Sequence, residues 1–178
     1  MRNSMKSSGT LYGHLTVTVY EVKNGQKVRK LRIAMKNQIT NGGRESVLAF
    51  LAQDPLGTTE QQNPEYGQIW SLAVGDDATP VSVLDTALYN ELDRYTLAIP
   101  LEREFVIVPP NIFEVHVHKE VPAGTLTGAT FAEAGLLTRG DGVLPATQAL
   151  YARQTHPAVV KSAAMAIEYD WRLGMLVQ

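Results

Sequence analysis

Ala163-Ala164-Met165-Ala166-Ile167-Glu168-Tyr169-Asp170-Trp171-Arg172-Leu173-Gly174-Met175 is the stretch that decides the fold. Met165, Ile167, Tyr169, Trp171, Leu173 and Met175 fall on one side of an extended chain. Ala164, Ala166, Glu168, Asp170, Arg172 and Gly174 fall on the other. A period of two sustained over this length describes a long β-strand with one face on a core and one toward solvent or a neighbour. Wound as a helix, the same residues would scatter their apolar groups around the whole circumference.

The same alternation opens the chain. Leu11, Leu15, Val17 and Val19 oppose His14, Thr16, Thr18 and Tyr20, and Asn24-Gly25 supplies two residues that tolerate positive φ. Val28 to Met35 returns as the second strand of a hairpin. Further strands are expected at Ile69–Val74, Tyr95–Pro100, Glu104–Val108, Ile112–Lys119, Thr130–Thr138, Ala149–Gln154 and Ser162–Val177. Two short helices are expected between them. One runs from about Arg44 to Gln53, capped by Asn41 or Gly42. The other runs from Leu84 to Leu92, with Ser82 and Asp85 as a capping pair. The sum is a mainly β chain, an antiparallel, jelly-roll-like β-sandwich over residues 10–178 preceded by a flexible arm at 1–9.

Composition narrows the function classes. The chain has 178 residues, a net charge of −2, four histidines and no cysteine, which excludes disulfides and thiolate metal sites. The densest basic run is Lys27-Val28-Arg29-Lys30-Leu31-Arg32. On a regular strand Arg29 faces away from Lys30 and Arg32, so no concentrated surface for nucleic acid is expected. No apolar run is long enough to span a bilayer, and the first nine residues lack the apolar core of a signal peptide. The expected partners therefore include neither nucleic acid nor membrane.

His116-Val117-His118 is the metal candidate, because alternate strand residues share a face that also carries Glu114 and Glu120. The competing reading is the polar outer face of a strand whose inner face is Phe113, Val115, Val117 and Lys119. Asp76, Asp77 and Asp85 fit no calcium-loop spacing and suit turn capping. Arg139-Gly140-Asp141-Gly142 is turn chemistry. The glycines at 9–13 and 124–128 lack the strand-to-helix context of a phosphate loop, and no serine or histidine sits in a triad pattern. No catalytic residue and no cofactor are expected. Tyr66, Trp70, Tyr89, Tyr95 and Tyr151 are spread over loops and strand ends, as at protein interfaces.

The order of elements from residue 37 onward carries a resemblance. Asn37-Gln38-Ile39-Thr40-Asn41-Gly42-Gly43 leads into a helix, and Ile69 to Pro80 contains the strand closing on Gly75-Asp76-Asp77. Asp85-Thr86-Ala87-Leu88-Tyr89-Asn90-Glu91-Leu92-Asp93-Arg94 follows. Glu133-Ala134-Gly135-Leu136-Leu137, Gly142-Val143-Leu144 and Leu150-Tyr151-Ala152-Arg153 precede the final strand. This series resembles a group of virion structural proteins of tailed bacteriophages; the N-terminal hairpin lies outside it. Glu133 and Arg153 are placed to pair across neighbouring strands. The resemblance implies a non-enzymatic building block, made in the host cytoplasm and located in the virion. It would be a neck or tail collar, adaptor or fibre-anchoring protein, forming a homo-oligomer beside portal, tail, fibre or capsid subunits. A head decoration protein is the alternative within that class. A carbohydrate-binding module resting on Trp70 and the loop tyrosines is the alternative outside it. Residues 1–9, 55–67 and 122–128 are the segments expected to order on neighbouring chains.

Overall fold

A computed structural model describes residues 10–44, 68–98, 101–108, 112–138 and 148–176. Its ten strands are β1 (Thr10–Lys23), β2 (Gln26–Lys36), β3 (Gln38–Ile39), β4 (Ile69–Gly75), β5 (Glu91–Thr96), β6 (Arg103–Val108), β7 (Ile112–Val121), β8 (Thr130–Thr138), β9 (Leu150–Val160) and β10 (Met165–Leu176). They form two antiparallel sheets of five. Sheet A has the order β2-β1-β10-β7-β6 and sheet B the order β3-β9-β8-β4-β5. The pairs β1·β10, β3·β9, β4·β8 and β6·β7 nest about the β6–β7 hairpin, so the chain wraps in jelly-roll fashion.

The sandwich follows from the alternation. Strand β10 lies at the centre of sheet A, and its Ile167, Tyr169, Trp171 and Leu173 are buried. With Leu15, Val17 and Val19 of β1 they meet Leu72, Val74, Phe131, Ala134 and Leu136 of sheet B in one core cluster. Each such side chain removed from water contributes about 1.5–3 kcal/mol, which is what holds the layers together. The opening hairpin turns at Asn24 (φ 51°) and Gly25 (φ 77°), the conformation that Asn-Gly accepts readily.

The strand expected at Tyr95–Pro100 starts instead at Glu91 and ends at Thr96, and the one expected at Ala149–Gln154 continues to Val160. Three further details depart from the sequence expectations. First, β2 pairs regularly with β1 until Val19↔Leu31, after which Tyr20 pairs Arg29; Lys30 is the extra residue of a β-bulge. Arg29 and Arg32 therefore share a face instead of opposing each other. Second, residues 41–44 form one helical turn whose cap is Thr40, its Oγ1 accepting from Gly43 N–H at 3.1 Å. The rest of the helix expected to Gln53 lies outside the described residues.

Third, no helix forms at Leu84–Leu92. Ser82 and Asp85 do close a capping turn, with Ser82 N–H donating to Asp85 Oδ2 at 2.9 Å. Leu88 then drops onto Ala73, Leu137 and Leu150 on the outer side of sheet B, and Glu91 opens strand β5. Burying that leucine draws the segment across the sheet rather than into a helix.

Candidate functional site

The outer face of sheet A is a trough. Strand register sets its rows: Tyr12–Gly174–Glu114, His14–Arg172–His116, Thr16–Asp170–His118 and Thr18–Glu168–Glu120. Strand β2 adds Lys36 beside His14, Arg32 beside Thr18 and Arg29 beside Tyr20. Lys27 measures the curl. It stands on β2, three strands from Glu120 and four residues off its row, roughly 19 Å away on a flat sheet. Its Nζ nonetheless lies 2.5 Å from Glu120 Oε2 and 2.7 Å from Glu168 Oε1, passing over the Tyr20 ring. The sheet's twist must bring its flanks together over the middle strands, and a concavity of about 900 Å³ results.

Gly174 shapes one end. A β-carbon there would overlap the Tyr12 ring, so glycine lets Tyr12 lie across β10 and donate to Glu114 Oε1 at 2.5 Å. The other Glu114 oxygen lies 2.5 Å from His116 Nε2. Burial raises the Glu114 pKa, but these two hydrogen bonds outweigh it and hold the carboxyl below its ordinary range. Burial, then the hydrogen bond to Glu114, pushes the Tyr12 hydroxyl up to about 12. His118 Nδ1 sits 2.6 Å from Asp170 Oδ1.

Glu114, His116, His118 and Glu120 do share this face, yet they do not converge on one point: Glu114 and His116 pair with each other, His118 with Asp170 and Glu120 with Lys27. The described group with ligand atoms closest together is His118, Glu168 and Asp170, all within 4.8 Å of one another. Its two carboxylates come from β10, opposite His118's strand, which no single-strand motif reveals. Lys27 already places a cation against Glu168.

On the opposite side of the molecule, segment 76–90 straps the outer face of sheet B. Arg153 on β9 is its lock. Arg153 Nε lies 2.8 Å from Glu133 Oε2 and Nη1 lies 3.0 Å from Asp85 Oδ2, while Asp77 stands 3.8 Å from Nη2. The Arg153 and Glu133 side chains are 0% exposed and Asp85 is 3% exposed. Glu133 also accepts from Asn90 N–H at 3.0 Å, and Arg153 donates to Thr79 O. At Gly135 a β-carbon would stand 2.5 Å from Leu88 Cδ1, so any larger residue there would make Leu88 shift from its seat.

The remaining aromatic candidates scatter. Tyr66 lies outside the described residues. Trp70 is half-buried on β4, and Tyr89 is exposed with its ring 4.5 Å from the Arg153 guanidinium. Tyr95 packs against the main core, where burial and Asp93 raise its hydroxyl pKa. Tyr151 is buried in the core and offers nothing to a partner. The loop 122–128 is held by its own chain: buried Lys161 donates to Pro122 O at 2.8 Å and Thr125 O at 2.7 Å. Residues 1–9, 55–67 and 139–142 lie outside the described residues.

Exposed apolar side chains also stand at the margin of sheet A. Leu101, Phe105 and Ile107 are 87%, 64% and 62% exposed, the last two sharing a face of β6 at the margin of sheet A. Among the described residues no helix is long and apolar enough to cross a membrane. No protein-family model matches the chain, and no curated protein and no solved structure matches it either.

Proposed function

We propose that this protein is a non-enzymatic structural component of a tailed-phage particle, a neck or tail collar, adaptor or fibre-anchoring protein that assembles as a symmetric oligomer. The observation that carries the reading is where the residues of the resemblance meet. Asp85, Leu88, Glu133, Gly135, Leu150 and Arg153 come from three separate motifs and join in one strap lock on sheet B. They brace the scaffold, and this shared structural use of the quoted motifs is what supports the reading.

The exposed apolar side chains at the margin of sheet A, Phe105 and Ile107 on β6 with Leu101 shortly before it, are the surface through which copies would join. Large exposed apolar side chains on a marginal strand promote association unless a neighbour covers them, and ring symmetry repeats each contact. Native mass spectrometry tests this. The wild-type chain should give one closed stoichiometry, and Phe105→Lys with Ile107→Lys should reduce it to monomer. A wild-type monomer at every concentration, or an oligomer indifferent to both substitutions, counts against the surface. Head decoration remains the alternative within the class, separated by where the chain sits on particles.

A further inference from the structure

The acids and the arginines of the trough are not in the same condition. Glu114 is engaged by Tyr12 and His116, Asp170 by His118, and Glu168 by Lys27. Arg29, Arg32 and Arg172 line the same concavity and make no hydrogen bond or ion pair with any described residue. Arg172 stands on the floor, in register between His14 and His116. Arg29 and Arg32 project from the β2 wall together because of the bulge at Lys30. Three guanidiniums without a hydrogen bond to a described residue therefore face a space in which Glu114 and Asp170 are already engaged, while Glu104 stands at its margin, 65% exposed and 3.6 Å from His116 Nδ1.

We propose that this trough binds an acidic oligosaccharide, a sugar chain bearing uronate carboxylates. A guanidinium fork matches a carboxylate in bidentate fashion, so the arginines suit the acid groups. Sugar hydroxyls both donate and accept, which suits the histidine, threonine and carboxylate rows between them. Tyr12 and His14, with ring centroids 5.8 Å apart, offer aromatic faces at one end. Tyr12 and Tyr20 are eight residues apart on β1, about 27 Å, so the trough suits a chain of sugars rather than a single ring. A single-stranded oligonucleotide also presents anionic groups to the arginines, so it is the competitor that the acid hexamer must outbind. This inference is independent of the assembly reading and uses the opposite face from the strap lock.

Isothermal titration with a hexamer of galacturonic acid at low salt tests it. The expected result is binding that weakens as salt rises. It should drop about tenfold or more in Arg172→Gln, and likewise in the Arg29→Gln, Arg32→Gln pair. The fully methyl-esterified hexamer should bind at least about tenfold more weakly than the acid. Melting temperatures of these variants should stay close to the wild type, since the arginines make no hydrogen bond with a described residue and Arg172 acts on Glu114 only through its charge. The proposal is overturned if the wild type does not bind the acid hexamer, or if both sets of variants bind it unchanged. It is equally overturned if the ester binds as well as the acid, or if a single-stranded oligonucleotide binds more tightly than the hexamer.

Discussion

Replacing Arg153 with methionine removes the single cation from a cluster in which two carboxylates, Glu133 and Asp85, are out of contact with water. Breaking a buried pair by deleting one partner costs about 3–5 kcal/mol, because a charge stays behind without compensation. For a chain of this size each kcal/mol moves the midpoint by about 2–4 °C, so the melting temperature should fall by about 6–20 °C. Circular dichroism during heating and in urea measures it. The loss should also be local: amide exchange at Tyr89 and Asn90, whose N–H groups donate to Glu133, should accelerate beyond that of the main core. Adding Glu133→Gln and Asp85→Asn to Arg153→Met removes the stranded charges while keeping acceptors for those amides, and should recover part of the stability. A single variant within 1 kcal/mol of wild type, or a triple variant less stable than the single one, would refute the account of the lock.

Other positions make separate predictions. Lys161→Met removes the donor to Thr125 O and leaves Pro122 O only the Thr125 N–H; a loss of about 1–3 kcal/mol and protease cleavage within 122–128 are expected, and an uncut loop would contradict the capping role. Gly135→Ala must displace Leu88, so unfolding should come about 1–3 kcal/mol earlier; wild-type stability would mean that the strap seats otherwise. Burial holds the His156 imidazole below its ordinary range, with Nδ1 donating to Pro157 O and Nε2 facing the Tyr169 hydroxyl. As pH falls through about 6.5 the unfolded chain takes up a proton that the folded chain refuses, so stability should decline on acidification. In His156→Phe that part of the decline should vanish; an unchanged pH profile of the melting temperature would sink the assignment.

The parts of the fold that are legible in the sequence are those written within one strand. Strand β10 shows its buried face because Ile167, Tyr169, Trp171 and Leu173 alternate without interruption, and Asn24-Gly25 announces its hairpin. Leu84, Leu88 and Leu92 misled because their spacing also fits a helix. In the fold Leu84 is exposed, Leu88 fills a satellite core and Leu92 belongs to β5. The bulge at Lys30 has no signature in composition, yet it decides which way Arg29 points. Glu133 and Arg153 are visible as a pair across strands, whereas Asp85 looks like a cap until the strap brings it to Arg153. The trough is legible nowhere in particular, since curl belongs to a whole sheet and its rows combine strands far apart in sequence.

The most direct measurement is immunolabelled electron microscopy of virus particles purified from the source that encodes this chain. The account predicts label at a fixed station on the neck or tail, with a copy number matching the stoichiometry that native mass spectrometry gives. Label spread over the whole head would move the protein to the decoration class. Particles that carry none of it would contradict the structural role altogether.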